Sequence, residues 1–327
     1  SCAIGAIVAY IYLIIKTKKS NVVKNNKKSL SEEERKEVIK KIIGYCIPFI
    51  IINISNSIYN TTDMILIIRG LTNLGYSAKD VETISSIFTT WGSKLITIVK
   101  AFATGLTISL IPSIVSAYVK KDMDKANYYF NNSLKVLLFI ITPLTIFLSI
   151  FAKEIWYIFY GQSYYGPIIF KYIILVAILD SAYIIFFSAL QGLYKTKLVY
   201  ICALSGITVN AFLDLPLMYL FNRLGIYPYY GAITATVIGY IISLSIPIVS
   251  LYKNDGFRYN DTIKSLPKLI FSILIAIFMC VIYKKIIPTF NGFIGNMLYL
   301  GIIGLLTLTV YFLINKDTII KLLKEKK

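Results

Sequence analysis

Two lysines, Lys94 and Lys100, interrupt a long apolar stretch, WGSKLITIVKAFATG, which runs from Trp91 to Gly105. On a helix, where successive residues turn by about 100°, both lysines share one polar face with Thr97. A charge at the centre of a bilayer costs roughly 2.5–3.5 kcal/mol, so such side chains usually face a cavity. There the two ammonium groups would attract an anionic group, such as a phosphate, through poorly screened charge. The alternative is that Lys94 lies at the outer interface of the membrane and Lys100 snorkels towards it.

The preceding apolar stretch carries a second polar face. Its members follow one another at intervals of three, four and three residues: Asn53, Asn56, Asn60 and Asp63. This spacing places all of them on one side of a helix. The face predicts hydrogen bonding to a polar ligand such as a sugar, and the alternative is ordinary hydrogen bonding between helices.

Three further polar side chains lie inside apolar stretches nearer the C-terminus. Asp180 is central in AILDSAYII, and Asn210 and Asp214 are four residues apart in ITVNAFLDLPL. Acids inside a membrane commonly belong to ion or proton pathways, so these residues are candidates for binding Na⁺ or H⁺. For Asp214, the alternative is a local pairing with Asn210 or with a backbone amide.

The sequence offers little for catalysis. It contains no histidine, which removes the commonest metal ligand and the usual proton carrier near neutral pH. Its four cysteines lie in apolar stretches without the spacing of a metal site, and no G-x-x-x-x-G-K-[ST] phosphate loop is present. We therefore expect no enzyme, no cofactor and no metal, and transport remains as the function.

The composition predicts an all-α, polytopic membrane helix bundle. Hydrophobic residues make up 57% of the chain and charged residues 15%, whereas soluble domains are about 45–50% apolar and about 25% charged. Several continuous apolar runs approach the roughly 20 residues that cross a bilayer. Eight spans are predicted: 42–67, 84–117, 133–152, 168–190, 198–221, 231–251, 268–287 and 297–314.

The basic residues predict the orientation of these spans. Most of the 34 lysines and arginines lie in alternate connections, which are therefore expected to be cytoplasmic, together with the C-terminus. The net charge of +18 then reflects orientation in the membrane, and nucleic acid is not expected as a partner. The first apolar run, 2–15, is followed rather than preceded by lysines, which indicates the end of a transmembrane helix whose front is missing.

The connection 16–41 is the longest polar stretch. Its first half contains six lysines and no acid, and in its second half Ser31 and Glu34 have the spacing of a capping box at a helix start. One hypothesis is an arm that binds anionic membrane lipids. The other is a solvated linker with the ordinary positive charge of a cytoplasmic connection.

Four segments carry a family resemblance. GLTISLIPSIVSAYVKKDMDKANYYFNNSL (105–134), ALQGLYKTK (189–197), VNAFLD (209–214) and GIYPYYGAITATVIGY (225–240) occur in this order. In order and spacing they resemble the C-terminal half of the multidrug/oligosaccharidyl-lipid/polysaccharide exporter superfamily. The chain looks closest to its stage V sporulation protein B type and its lipid II flippases. An inserted YPYY before Gly231 departs from the family pattern.

The resemblance implies two six-helix lobes joined by a cytoplasmic loop. Residues 1–15 would then end helix six, 16–41 would form the loop between the lobes, and 42–252 would form the second lobe. Residues 253–327 would supply two additional transmembrane helices and a basic cytoplasmic tail. Lipid-linked sugar flippases of the superfamily typically have this extra pair, and its drug exporters typically lack it.

The resemblance also implies a function. The expected activity is movement of a lipid-linked oligosaccharide or peptidoglycan precursor across the bacterial cytoplasmic membrane by alternating access, with possible coupling to Na⁺ or H⁺. Lys94, Thr97, Lys100 and the Asn53–Asp63 face would then hold the headgroup. The alternative is a multidrug/cation antiporter of the same fold, in which Asp63, Asp180 and Asp214 bind cations. A groove flanked by the last two helices would favour the flippase, and a structural scaffold remains a third hypothesis.

Overall fold

The computed structural model is entirely helical wherever regular secondary structure is described, as predicted. It divides into two compact units, Ser1–Ile51 and Ile52–Lys327. The residues that it describes are 7, 10–12, 14–16, 31–288 and 292–324, without the side chains of 41–42, 44–59, 109 and 321–324.

Eleven α-helices follow residue 31 in the described part of the chain. They are α1 (Glu32–Asn73), α2 (Ala78–Ser86), α3 (Gly92–Val119), α4 (Met123–Val136), α5 (Thr142–Ile150), α6 (Ala152–Tyr160), α7 (Tyr165–Gly192), α8 (Thr196–Arg223), α9 (Tyr229–Asp255), α10 (Asn260–Ile286) and α11 (Gly292–Lys324).

The start of α1 confirms the predicted capping box. The Ser31 amide donates to a Glu34 carboxylate oxygen at 2.9 Å, and the Glu34 amide donates to Ser31 Oγ at 3.2 Å. Each side chain thereby satisfies a backbone N–H that has no partner within the helix. Residues 17–30 of the same connection, and most of 1–15, lie outside the described residues.

Seven helical segments in the described part of the chain are long and apolar enough to cross a membrane. They correspond to the predicted spans from 84–117 onwards. The 42–67 span lies within α1, where most side chains are outside the described residues, and it stays a prediction. Many large apolar side chains are exposed on these helices, among them Ile108 and Phe212. Apolar surface of this extent suits lipid rather than water, and the chain is a multi-pass membrane protein.

Two spans contain a π-helical turn. Ile87–Trp91 joins α2 to α3, and Leu137–Ile141 joins α4 to α5. The second turn stands directly before Pro143, which lacks an N–H and would clash with the preceding turn of a regular α-helix. The extra residue per turn relieves this conflict and keeps the span continuous from Met123 to Ile150.

The third predicted span ends differently from expectation. It was predicted to reach residue 152, but the helix stops at Ile150 and the short helix α6 follows. Helix α6 buries Ile155 and Trp156 against the bundle and leaves Lys153 and Phe159 exposed. Because α6 has only nine residues, its amphipathic pattern was hidden at the end of a longer apolar run.

Helices α8 and α9 approach one another closely through small residues. Gly231, Ala235, Gly239 and Ser243 recur every four residues on one face of α9, and all are buried. A Cβ atom added to Gly231 would lie 2.5 Å from the carbonyl carbon of Leu217 in α8. Such a stripe lets two helix backbones pack without intervening side chains, and it sets the position of the polar residues on α8.

The bundle has two chemically distinct ends. At the lysine-rich end, which carries the connections 120–122, 193–195 and 256–259, Lys195 Nζ lies 2.5 Å from both carboxylate oxygens of Asp255. Tyr118 OH donates to the same carboxylate at 2.9 Å. The tyrosine-rich end carries the connections 74–77, 161–164 and 224–228, and there the Tyr164 and Tyr227 hydroxyls are 3.1 Å apart. Alternate connections therefore meet at the same end.

Candidate functional site

A polar cavity of about 450 Å³ opens between α1, α3, α7, α8 and α9. Its polar side chains come from all of these helices except α8, which contributes Gly206 and apolar residues to the wall. The polar lining residues are Asn60, Asp63, Ser93, Thr97, Lys100, Asp180, Tyr183, Ser188, Gln191, Thr236, Tyr240 and Ser243.

An ion pair crosses this cavity. Lys100 Nζ on α3 lies 2.5 Å from Asp180 Oδ2 on α7, and the two side chains are 33% and 14% exposed. The sequence predicted both residues as site residues but did not predict that they pair, because they are 80 positions apart. The pair neutralises two charges whose separate burial in a membrane would be costly.

The other members of the α3 face have different surroundings. Thr97 lines the cavity, and its hydroxyl donates to the Ser93 carbonyl at 2.8 Å. Lys94 is exposed and is not part of the cavity lining. The lysine face predicted from sequence is thus divided, with Lys100 inside the cavity and Lys94 outside it.

The α1 face is described only in its second half. Asn60 and Asp63 both line the cavity. The side chains of Asn53 and Asn56 lie outside the described residues, so their predicted role stays a prediction.

Behind the cavity wall, Asp63 meets the polar pair of α8. The Asn210 side-chain amide donates to Asp63 Oδ1, and the carboxyl groups of Asp63 and Asp214 lie close enough to share a proton. Asp214 is fully buried, and neither of its carboxylate oxygens receives a hydrogen bond from a described residue. Thr236 of α9 also reaches Asp63. We call these four residues, Asp63, Asn210, Asp214 and Thr236, the acidic cluster.

A positive charge would stabilise the acidic cluster. The fully buried Asp214 carboxyl group lies beside the half-buried Asp63 carboxyl group, and uncompensated buried charge is strongly unfavourable. A shared proton or a bound monovalent cation would satisfy the carboxylate, amide and hydroxyl oxygens, all of which are hard donors. The described residues contain no group of three or more His, Cys, Asp or Glu side chains suited to a metal ion.

An apolar groove lies on the other side of α3. It has a volume of about 630 Å³ and is formed by the π-turn before α5, by α5, and by α10 and α11, with Phe102 contributed from α3. Phe102 and Lys100 are two residues apart, so they project from nearly opposite sides of the helix. The last two helices therefore flank a groove, as the flippase hypothesis required.

Several cavity residues were not predicted from sequence. Tyr183 and Phe187 of α7 stack with ring centroids 3.8 Å apart, and the ring of Tyr240 of α9 meets Tyr183 edge-on at 5.8 Å. Tyr183 follows Asp180 by three residues, which is one helical turn. That spacing was available in the sequence, but an aromatic residue in an apolar helix gives no distinctive signal.

Comparison with known proteins finds a similar family and a similar curated protein. Residues 22–168 match the family described as "Polysaccharide biosynthesis protein". Lipid II flippase MurJ of Bacillus subtilis (strain 168) is 25% identical over 264 residues, which cover 80% of this chain and 47% of that protein. The chain thus spans about half the length of this curated relative.

A solved structure has the same fold. The structure described as lipid II flippase MurJ in an inward closed conformation matches 97% of this chain and 61% of its own, with a TM-score of 0.59 and 19% sequence identity. The sequence matches show that this chain is similar to lipid II flippase-like proteins of polysaccharide biosynthesis, and the solved structure shows that it shares their helical fold.

Proposed function

We propose that this chain forms part of a flippase that moves a lipid-linked saccharide across the cytoplasmic membrane by alternating access. The substrate class combines a polar, anionic headgroup with a long apolar tail. The headgroup would enter the polar cavity, and the tail would stay in the apolar groove.

One observation carries this proposal: α3 separates a polar cavity from an apolar groove. Lys100 lines the first and Phe102 the second. An amphiphilic substrate that straddles α3 would satisfy both surfaces at once. A soluble polar substrate would occupy only the cavity and would leave the apolar groove without a ligand.

Lys100 is the proposed contact for the anionic part of the headgroup. In the structure it is neutralised by Asp180, so an incoming phosphate would replace the carboxylate as its partner. Thr97 and Asn60 line the same cavity and would hydrogen-bond the sugar. Lys94, which lies outside the cavity, is not needed for this role.

The acidic cluster is the proposed coupling site. A cation or proton bound by Asp63 and Asp214 would neutralise these carboxylates and stabilise the packing of α1 against α8. Moving one elementary charge across a membrane potential is worth about 2.3 kcal/mol per 100 mV, which is enough to bias a conformational change. We further propose that the lysine-rich end, and with it the C-terminus, faces the cytoplasm.

The proposal is tested by reconstitution of the protein, as the cell makes it, into vesicles with a fluorescent lipid-linked oligosaccharide. Lys100→Ala is expected to reduce translocation about tenfold or more, since removal of one partner of a buried charge contact costs at least about 2 kcal/mol. Lys94→Ala is the matched control and should translocate like the unmodified protein. Equal activity of both variants at equal protein level would contradict the role of Lys100.

A multidrug/cation antiporter is the second candidate function, and the acidic cluster is the observation that favours it. The two adjacent carboxyl groups of Asp63 and Asp214 could bind a cation in exchange for a cationic drug. Lys100 in the cavity opposes this reading, because its charge repels a cationic substrate. Uptake of a labelled organic cation into vesicles, driven by a Na⁺ or proton gradient, would distinguish the two.

A further inference from the structure

A second polar cleft lies at the tyrosine-rich end of the bundle, away from the central cavity. Its volume is about 690 Å³, within the range of ligand-binding pockets. The walls come from α6, from the connection that follows it, and from the first turns of α7 and α11. None of its lining residues lines the polar cavity or the apolar groove.

Glu154 is the buried polar group of this cleft. It is 8% exposed, and its Oε2 has no hydrogen-bond partner among the described residues. Its other carboxylate oxygen, Oε1, lies 3.2 Å from Lys284 Nζ. Lys284 is itself held in place, 3.4 Å from the Ile150 carbonyl and 5.2 Å from the centre of the Phe151 ring. The carboxylate is therefore fixed in orientation, with one oxygen still lacking a donor.

Besides the exposed Lys153, the remaining lining is rich in amides, hydroxyls and aromatic rings. Gln162 and Tyr164 are exposed on the connection after α6, while Tyr157 and Asn296 are partly buried. The amide nitrogen of Asn296 donates to the Gly292 carbonyl at 2.9 Å, which directs the amide and leaves its oxygen as an acceptor. The hydrogen bond with Tyr227 raises the pKa of Tyr164, so its hydroxyl stays protonated.

This combination selects a chemical class of ligand. The free oxygen of Glu154 needs an O–H or N–H donor. The carboxylate opposes an anion, while Lys284 and Lys153 oppose a cation, so the mixed charges favour a neutral ligand. Amide groups both donate and accept, and tyrosine presents an apolar ring together with a polar tip. A molecule with many hydroxyl or acetamido groups and apolar C–H faces fits these requirements.

We infer that this cleft, between α6 and the start of α11, is a saccharide-binding site built around Glu154, Gln162 and Asn296. The cleft is at the end opposite to the lysine-rich connections. A role of the cleft in holding the sugar headgroup after the headgroup has crossed the membrane rests on the proposed function. The inference that the cleft binds a saccharide does not depend on the proposed function.

The probe is chitobiose, a disaccharide with acetamido groups, titrated calorimetrically into the protein as the cell makes it, held in lipid nanodiscs. The unmodified protein is expected to bind it. Gln162→Ala and Asn296→Ala should each weaken binding about fivefold, as expected for one lost hydrogen bond. Glu154→Gln should weaken it further. Asn254→Ala, an asparagine at the lysine-rich end, is the matched control and should bind like the unmodified protein.

The Lys100→Ala variant distinguishes binding in the cleft from binding in the central cavity. Chitobiose binding should persist in this variant, because Lys100 lines only the cavity. Absence of binding to the unmodified protein, or equal binding by the Gln162, Asn296 and Asn254 variants, would overturn the inference. Loss of binding in Lys100→Ala would also overturn it, since the sugar would then occupy the cavity. If translocation depends on Lys100 while chitobiose does not bind, the saccharide cleft alone is wrong. If chitobiose binds the cleft but no lipid-linked saccharide is translocated, the proposed function alone is wrong.

Discussion

Lys100 Nζ of α3 contacts Asp180 Oδ2 of α7 at 2.5 Å, and this contact joins two helices across the polar cavity. If Lys100 binds a substrate anion as proposed, that anion must compete with a carboxylate that is already in place. The ion pair would then act as an internal substitute for the substrate, and its strength would limit how tightly the headgroup is held.

Replacing Asp180 by asparagine tests this competition. Asp180→Asn frees Lys100, so we expect tighter substrate binding, with KM lowered several-fold, and slower release, with a lower maximal rate. Lys100→Ala should lower translocation without lowering KM. Both constants are obtained from the initial rate of translocation against lipid concentration in vesicles. A rise in KM in both variants would mean that the pair is only structural.

If the acidic cluster binds Na⁺, then Na⁺ should stabilise the folded protein more than a cation that does not fit the cluster. The protein in Na⁺ should unfold at a higher temperature than in the same concentration of choline, since a ligand bound only to the folded state stabilises it. At 100 times the dissociation constant this effect is about 2.7 kcal/mol. In Asp214→Asn the difference between Na⁺ and choline should disappear.

Asp124→Asn is the control for this measurement, because Asp124 is exposed in the first turn of α4. It should retain the full difference between the two salts. If Asp214→Asn keeps the difference as well, the cation acts elsewhere. If the salts never differ but the activity follows a proton gradient, the coupling ion is H⁺.

If the apolar groove holds the lipid tail, the rate of translocation should depend on the length of that tail. Ala276→Trp places a large side chain into the groove and should slow translocation of a substrate with a long polyprenyl tail by about tenfold or more. A substrate with a two-unit tail should be moved at an unchanged rate. Leu274→Trp is the matched control, because Leu274 is 59% exposed and lies outside the groove lining. An equal loss with both tails would show that the groove does not hold the tail.

Substitutions in the Asp255 cluster at the lysine-rich end are expected to change the stability of the protein rather than its transport activity. Asp255→Asn leaves Lys195 without its buried partner and should lower the free energy of unfolding by about 3 kcal/mol. Tyr118→Phe removes one hydrogen bond to the same carboxylate and should cost about 1.5 kcal/mol. Thermal unfolding of the purified protein measures both changes.

The exposed pair of Asp122 and Lys125 is the comparison for this buried cluster. Their side chains are 2.8 Å apart, and the hydrogen bond with Lys125 lowers the pKa of Asp122. Its stabilising effect is therefore present above the unfolded-state pKa and is lost as the pH falls through the lower, folded-state value. Because this pair is solvated, Asp122→Asn should barely change the unfolding temperature. A change as large as that of Asp255→Asn would contradict the distinction.

Much of the fold could be predicted from the sequence. The apolar runs predicted the long helices, because a bilayer-spanning segment must satisfy its backbone hydrogen bonds internally and cover itself with apolar side chains. Ser31 and Glu34 predicted the start of α1 for an equally local reason. Helix α6 was missed, since Trp156 and Ile155 continue the apolar character of the preceding span.

The site was predicted only as separate polar faces. Helical periodicity placed Lys100 with Thr97 and Asn60 with Asp63, and these residues do line one cavity. Periodicity could not separate Lys94 from Lys100, because the difference depends on the neighbouring helices: Lys100 faces α7, whereas Lys94 is exposed. The residue numbers also gave no reason to connect Asp63 with Asn210, or Lys100 with Asp180.

The sequence by itself determined the helical class, the order of most spans and the residues able to carry charge inside the membrane. These properties depend on composition and on contacts within a few residues. Only the tertiary structure decided that Lys100 pairs with Asp180, that Asp214 lies buried beside Asp63, and that a polar cavity and an apolar groove occupy opposite sides of α3. The physical reason is that each of these depends on the packing of helices far apart in the chain.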